Sequence, residues 1–455
     1  MVENSLIQKF KNFVHKKQYQ LASKKYNFPQ RKLVIIGITG TDGKTTVTSM
    51  VYHILKSAGL LVGYISTVRA KAGDKEIDTG FHVTTPDPWE VPKYLQMMVD
   101  EGIKFVVLES TSMGLQQNRL YDIKFDSAII TNIKKDHLDY HGSWENYANA
   151  KFKLVEMIKN QGLLVLNKDD EQSASWITKK SSLITHDVYV KWSSIHDLKN
   201  LKQDINGLHF NYLDKDFSVP VIGEYNFLNI LQAVNLTLRY ADIEKISESL
   251  KTYDPPEGRM QVIQKSPFAV IVDFAHTPNA LIGALESLAR LVRGKGRITT
   301  VFGCAGKRDK GRRHMGEVSA ELSDLTILAP EDPRNETVYD INTQIIAQAR
   351  KSGASVVARF KDTEHFKSYN LDELRKQIEE VIRSGQKPFI TFDQNAPLAR
   401  RDAIDLAISL AKKDDIVFIT GKGHEKTLAF GEKETEYPWS DEDVAKKFLI
   451  TKNVT

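Results

Sequence analysis

The chain has 455 residues, enough for two or three domains, each with its own core. Its 41% hydrophobic and 27% charged content is that of an ordinary globular protein, and its net charge of +5 (63 basic against 58 acidic residues) suits an anionic small substrate, with no nucleic-acid partner expected. A single cysteine, Cys304, excludes an intrachain disulfide and a Cys-rich zinc site; with no apolar leader and no apolar run of membrane-spanning length, a cytoplasmic location without integral membrane contact is expected.

Residues 1–31 are rich in Lys and Gln, with Leu6, Ile7, Phe10, Phe13 and Val14 at helical spacing. They are expected to form a short amphipathic helix lying on the main body, with a membrane-surface or partner helix as the alternative. Next, Val34-Ile35-Ile36 reads as a buried parallel strand running into a Gly/Thr-rich loop, after which Val47, Met50, Val51 and Ile54 recur at helix-like spacing. Strand, glycine loop, Lys44-Thr45 and helix form the setting of a phosphate-binding loop: free helix N–H groups face the anion, Lys44 reaches the outer phosphates and the Thr45 hydroxyl sits on Mg²⁺. Gly37 falls one place early for the general pattern, whose first glycine would stand at Ile38.

Strand-like runs at 61–66, 105–110, 127–132 and 162–167 alternate with helical stretches at 89–101 and 144–160, which predicts a parallel sheet wrapped by helices. Residues 182–220 break the alternation with short β-type runs and an Asn206-Gly207 turn signal, and are expected to form a small antiparallel insertion. Helical character returns over 226–240. Pro255-Pro256-Glu257-Gly258 punctuates the chain as a linker would. A second series of strands and helices follows, giving an α/β organisation of three segments: a helical piece at 1–31, a central P-loop ATPase domain with a parallel sheet at 32–261, and a C-terminal doubly wound, Rossmann-like domain at 262–455.

Chemistry-bearing residues cluster after the strands. Glu109 ends one, placed to hold Mg²⁺ through oxygen, although a carboxylate capping a helix would look the same. Thr131 to Gly142 packs two histidines and two aspartates into one loop; His137 is a candidate metal ligand, though imidazole is softer than Mg²⁺ usually takes. Lys151 opens a helix, and nothing in its spacing separates it from a solvated lysine. In the second half, Asp273 and His276, the basic Gly-rich loop with Arg308, Lys310, Arg312 and Arg313, the run Glu331-Asp332-Pro333-Arg334, and Gly421-Lys422-Gly423-His424-Glu425 all follow strands.

Taken in order, GITGTDGKTT, TTPDP, the Glu109 motif, DHLDYHG, Ala150-Lys151, GEYNFLN, GRM, VDFAHTPNAL, FGCAGKRDKG, EDPR, RRDAI and GKGHE resemble the ATP-dependent Mur ligases, which add amino acids to the muramyl peptide of the bacterial cell wall. The branch most resembled adds the third residue to a UDP-N-acetylmuramoyl-dipeptide. The resemblance implies that Gly40, Thr41, Asp42, Gly43, Lys44, Thr45 and Thr46 bind ATP, with Asn226, Asn229, Arg259, Asp273 and Arg308 as further nucleotide contacts. It implies two Mg²⁺ ions held by Thr45, Glu109, His137 and a carbamylated Lys151, and catalysis through Lys44, Lys151 and His137. Thr84, Thr85, Ser112 and Arg119 would meet a muramyl-peptide-like substrate, and Arg334, Gly421 and Glu425 the incoming amino acid.

Three departures stand out. Only residues 1–31 precede the first strand, where the family carries a UDP-binding domain, so UDP held in a different way, a partner replacing that domain or a UDP-free substrate is expected, the ligase itself being a monomer. The family's Ser-Ser-His is Thr111-Ser112-Met113 here, and Asp-Asn-Pro-Arg is Glu331-Asp332-Pro333-Arg334. A folylpolyglutamate-synthetase-like ligase and a non-catalytic ATP-binding scaffold are the alternative readings.

Overall fold

Helix α1 (Ser5–Lys25) opens the chain in a computed structural model that describes residues 5–67, 70–77, 84–181, 187–292, 294–307 and 310–452. The helix lies on the main body as expected, and the face that packs is not the one that carries Phe10 and Phe13. Tyr19 and Ala22 are fully buried and His15 Nδ1 meets the Gln117 carbonyl at 2.9 Å, whereas Phe10 is 70% and Phe13 56% exposed. Tyr19 joins the apolar cluster on one side of the first sheet, and that contact fixes which face turns inward. The side chains of Leu6 and Ile7 lie outside the described residues.

The chain divides into two units, residues 1–256 and 257–455. The first holds strands β1 (Val34–Thr39), β2 (Val62–Ile65), β3 (Ala70–Ala72), β4 (Lys75–Ile77), β5 (Phe105–Glu109), β6 (Phe125–Ile130), β7 (Ile158–Asn167) and β8 (Val188–Ser193), joined in the order β4-β3-β2-β5-β1-β6-β7-β8. Strands β2, β5, β1, β6, β7 and β8 run parallel, while β3 and β4 form an antiparallel edge. Helices α2 (Lys44–Ser57), α3 (Glu90–Asp100), α4 (Ser112–Gln116), α5 (Leu138–His141), α6 (Trp144–Glu156), α7 (Glu171–Ser181), α8 (Asn226–Thr237) and α9 (Ile243–Leu250) complete the unit.

Strand β1 is central and buried on both faces, as a β-branched run in a parallel sheet should be. Ile35 joins Val106, Leu108, Phe125 and Leu154 on one side; Ile36 and Ile38 join Val47, Met50 and Val51 of α2 and Ile230 and Val234 of α8 on the other. Each such side chain contributes about 1.5–3 kcal/mol by leaving water. The two clusters grip the strand from both sides and so fix where its C-terminal end points.

Two expectations are corrected. The stretch 144–160 is helical only to Glu156; Ile158 already pairs with Phe125 as the start of β7. Within 182–220, residues 182–186 lie outside the described residues, and β8 belongs to the main parallel sheet. The antiparallel insertion is confined to β9 (Lys199–Asp204), β10 (Gly207–Tyr212) and β11 (Lys215–Val219).

The second unit contains β12 (Gln261–Gln264), β13 (Ala269–Asp273), β14 (Ile298–Phe302), β15 (Leu325–Leu328), β16 (Ala354–Phe360), β17 (Lys387–Phe392) and β18 (Ile416–Thr420) in the order β12-β13-β18-β14-β15-β17-β16, parallel except for β12. A short hairpin, β19 (Thr427–Phe430) with β20 (Thr435–Pro438), lies outside this sheet, as do helices α10 (Pro278–Val292), α11 (Met315–Leu322), α12 (Val338–Ala349), α13 (Thr363–Ser368), α14 (Leu371–Arg383), α15 (Pro397–Leu410) and α16 (Asp441–Thr451). Among the described residues no helix is long and apolar enough to cross a membrane.

The early glycine, Gly37, is a strand residue and not part of the loop. A Cβ there would lie 2.7 Å from the Phe125 ring and 3.0 Å from Leu154. Gly37→Ala is therefore expected to cost about 1–3 kcal/mol through overpacking, read as a lower urea midpoint at unchanged slope; an unmoved midpoint would show that the ring gives way freely.

Candidate active site

Strands β5, β1 and β6 are neighbours, so the loops at their C-terminal ends emerge side by side. The loop after β1 is held open by its neighbours. Thr41 N donates to Asn132 O (2.9 Å), Asp42 N to Asn132 Oδ1 (3.0 Å), and Thr131 Oγ1 to Asp42 O (2.5 Å). Gly40 and Gly43 have φ of 154° and 80°, and a Cβ on either would collide with Thr131 Oγ1 or Asn229 Oδ1. Gly43 precedes α2 with no side-chain cap, leaving the first-turn amides of the helix to face an anion. Lys44 Nζ folds back to donate to Thr41 O at 2.7 Å, at the rim of the same loop.

At the base of the loop, Thr45 Oγ1 donates to Glu109 Oε1 at 3.1 Å. Glu109 is fully buried and also accepts from Thr67, from Oγ1 at Oε1 and from N at Oε2, both at 3.1 Å. A hydroxyl and a carboxylate converging in this way fit a small hard cation that keeps part of its water shell. Thr111, not Glu109, caps α4, its Oγ1 accepting from Gly114 N, so the helix-cap alternative for Glu109 is set aside.

Lys151, on α6, is 1% exposed; its Nζ donates to Gly40 O at 2.5 Å and lies 4.5 Å from the centre of the Tyr147 ring. Burial, reinforced by the nearby Lys44 ammonium, holds its pKa well below the ordinary lysine value. A neutral primary amine is a nucleophile, and this one sits directly beneath the phosphate loop. Tyr147 also meets Thr41 Oγ1 at 3.1 Å through its hydroxyl, and His137 with its ring 6.4 Å away. His137 stands on the turn after β6 with φ of 51°, paired with Asp136 at 3.5 Å. Thr45 and Glu109 are thus in direct contact, while His137 and Lys151 share one aromatic neighbour.

The residues expected at the substrate surround the same strand ends. Thr85 Oγ1 bonds Thr111, Arg119 donates to Thr85 O at 3.0 Å, and Thr84 Oγ1 accepts from Thr67. Ser112 Oγ lies 3.0 Å from His141 Nε2, so α5 places an imidazole beside the serine although position 113 is methionine. Asn229 donates to Asn226 (2.8 Å) and abuts Gly43. Sequence reasoning missed Thr67, Asn132 and Tyr147; each reaches the phosphate loop or Glu109 through a contact more than fifteen residues away, and only the density of polar residues around 131–142 hinted at one of them.

In the second unit, the ends of β13, β18, β14 and β15 also lie side by side. Asp273 is buried and accepts from Met260 N (2.7 Å) and Ala275 N (2.8 Å); burial raises its pKa against the pull of Arg259, whose guanidinium stacks 4.6 Å from the centre of Phe274. Arg308 lies outside the described residues. Arg313 of the basic loop turns inward, donating to Ala305 O and pairing with Glu336, so it ties the loop down.

Arg334 donates to Gly306 O at 2.8 Å and lies 3.4 Å from Glu434. Glu425 pairs with Lys422 at 2.5 Å; Lys422 is 1% exposed and also bonds Asp332 at 2.9 Å. Glu331 packs against Gly421, where a Cβ would lie 2.4 Å from Oε2. Below them, buried Arg400 grips Asp441 with two 2.7 Å bonds and donates to Pro330 O and Thr420 O, the residues just before Glu331 and Gly421.

The sequence profile of the Mur ligase middle domain matches residues 38–237, and that of the Mur ligase glutamate ligase domain matches residues 258–378. Curated relatives include the UDP-N-acetylmuramoyl-L-alanyl-D-glutamate–2,6-diaminopimelate ligases of Chlamydia pneumoniae, 33% identical over 431 residues (91% of this chain, 80% of that protein), and Clostridium perfringens, 33% identical over 442 residues (92% and 80%). A solved structure of a UDP-N-acetylmuramoyl-L-alanyl-D-glutamate–2,6-diaminopimelate ligase matches with a TM-score of 0.63 at 25% identity, covering 97% of this chain and 84% of that one. Folylpolyglutamate synthase of Mycobacterium tuberculosis shares the fold, with a TM-score of 0.61 at 17% identity over 89% of this chain and 92% of that one.

Burial pushes the Glu331 carboxyl up to about 8, although Arg312, Arg400 and Lys422 pull the other way. Between the ordinary 4.5 and about 8 the folded chain therefore keeps a proton that the unfolded chain has released, and stability falls as pH rises through that window. In Glu331→Gln this contribution is expected to vanish; urea midpoints of both proteins across the window check it, and parallel curves would refute it.

Proposed function

The chain belongs to the Mur ligase family, and we propose that it is an ATP-dependent amide ligase that adds an amino acid to a muramyl-peptide-like carboxylate in cell-wall precursor synthesis. The observation that carries this reading is the set of groups below the phosphate loop: Thr45 bonded to Glu109, and the buried, deprotonation-prone Lys151 bonded to Gly40.

The first step brings two anions together, a substrate carboxylate and the γ-phosphate of ATP. The α2 amides and Lys44 bind the triphosphate and spread its charge. Thr45 and Glu109 would hold a Mg²⁺ ion, whose chemistry would be charge neutralisation at the phosphoryl oxygens. Lys151, whose surroundings favour the neutral amine, would add through nitrogen to carbon dioxide and release one N–H proton to water; the resulting carbamate would offer a carboxylate to a second ion, with Tyr147 and His137 near it. Asn226 and Asn229, beside Gly43 in the first unit, are assigned to the nucleotide by the family resemblance.

Thr84, Thr85, Ser112 and Arg119 receive the muramyl-peptide end. The carboxylate attacks the γ-phosphorus, ADP leaves, and an acyl phosphate results. The amine of the incoming amino acid then attacks the acyl carbon, releasing phosphate and forming the amide. Arg334 offers a fork for a carboxylate of that amino acid, with Gly421 and Glu425 completing its site.

Phosphate release should require ATP, Mg²⁺, a muramyl peptide with or without UDP, and one of a panel of amino acids. Lys151→Ala should lower it by about a hundredfold or more, and labelled bicarbonate should give a carbamate NMR signal in the native chain that the variant lacks. No release with any pairing despite ATP binding would sink the ligase reading, and release with folate and glutamate alone would move it to the folate branch. A fully active Lys151→Ala would remove the carbamate alone.

A further inference from the structure

We propose that the outer face of α1 seats this protein on an anionic lipid bilayer as a peripheral contact. The helix is fixed to its unit through Tyr19, Ala22 and His15. On the opposite side, Phe10, Phe13, Lys17, Leu21 and Lys24 follow one another at intervals of three or four, the period that lines up one helix face. Phe10 is 70%, Phe13 56% and Leu21 61% exposed, and both lysines are exposed. Scattered exposed apolar residues are normal on a protein surface; three large ones in a single stripe on a helix that already packs by its other face are not.

The charge pattern identifies the occupant. Between Ser5 and Lys25 there are six lysines and no aspartate, glutamate or arginine. Lysines border the stripe on both sides, Lys16 lying 4.6 Å from the centre of Tyr121 and Lys25 5.5 Å from that of Trp89, rings that are themselves about a third exposed. Asp122, close by on the same unit, is already engaged by Gln30 and Arg31. Phenylalanine and leucine enter the boundary between headgroups and acyl chains, while lysine stems lie along that apolar surface and carry their ammonium groups to the phosphates. A single-stranded nucleic acid is tracked by a positively charged groove, and this stripe is the outer face of a helix. The contact is interfacial, since no described helix is long and apolar enough to span.

The full chain is sedimented with vesicles of phosphatidylcholine alone and of phosphatidylcholine mixed with phosphatidylglycerol, at low and high salt. Pelleting with the mixed vesicles only, weakened by salt, is expected. Combined Phe10→Ser, Phe13→Ser and Leu21→Ser should reduce the partition coefficient about tenfold while leaving the melting temperature and phosphate release unchanged. Lys17→Gln with Lys24→Gln should weaken the same binding. The proposal is overturned if the mixed vesicles leave the protein in the supernatant at low salt, or if the triple variant pellets like the native chain. It is equally overturned if the stripe instead supports a dimer or an RNA complex that the triple variant abolishes without any binding to vesicles.

Discussion

A lysine ammonium that is almost wholly buried, with a second lysine close by, is driven towards the neutral amine unless nearby carboxylates outweigh both effects. Lys151 is in that position, and much of the first unit's site follows from it. Its Nζ hydrogen is directed at Gly40 O, so the amine fastens the start of the phosphate loop to α6. The same amine lies on Tyr147, whose hydroxyl reaches Thr41. Thr131 and Asn132 hold the other side of the loop. The loop is therefore pinned by neutral hydrogen bonds, and its open side, where the α2 amides and Lys44 stand, is left for the anion.

The two units solve the placement problem in the same way. Neighbouring parallel strands end together, so residues distant in sequence meet without any long loop to position them. In the first unit β5, β1 and β6 bring Glu109, Thr45 and Asn132 together. In the second, β15 and β18 deliver Glu331 and Gly421, and Arg400 fastens the carbonyls just before each. Arg400 and Asp441 are both fully buried, and removing one partner of such a pair costs about 3–5 kcal/mol because the other charge is left unanswered. The pair is a poor source of net stability and a good source of geometry: it fixes two loops against one guanidinium plane.

What the sequence made legible was whatever is local or falls at a strand end. The β1–loop–α2 unit is written in consecutive residues, and Glu109 and Asp273 announce themselves by following apolar runs. Lys151 could not be read from spacing; its burial depends on α6 packing under a loop more than a hundred positions earlier, and only the family resemblance singled it out. The apolar spacing near the start of α1 does not identify its inward face, because Tyr19 and Ala22, later in the helix, make the tertiary contact. Periodicity shows that a face exists, not which neighbour will cover it. The strand β8 was folded into the insertion for a similar reason: short β-type runs look alike until pairing with β7 separates them. Glu434 was invisible because it comes from a hairpin turn and meets Arg334 only in three dimensions.

Lys151 and Lys422 show how far neighbours, and not burial, decide what a lysine can do. Each is 1% exposed, and burial alone depresses both. Around Lys151 the next influence is the Lys44 ammonium, which pushes the same way, and the acids that favour the charged form weigh less. Around Lys422, Glu425 and Asp332 touch the ammonium directly, more than offset the burial and raise its pKa. One chain thus holds a buried amine whose proton is loosened and a buried ammonium whose proton is tightened. The first is moved towards the lone pair that carbon–nitrogen bond formation requires; the second serves as a fixed charge between two carboxylates. In this chain a reactive lysine is therefore recognised by nearby acids that are outweighed by burial and a second ammonium, a property that composition cannot express and that the fold supplies through contacts distant in sequence.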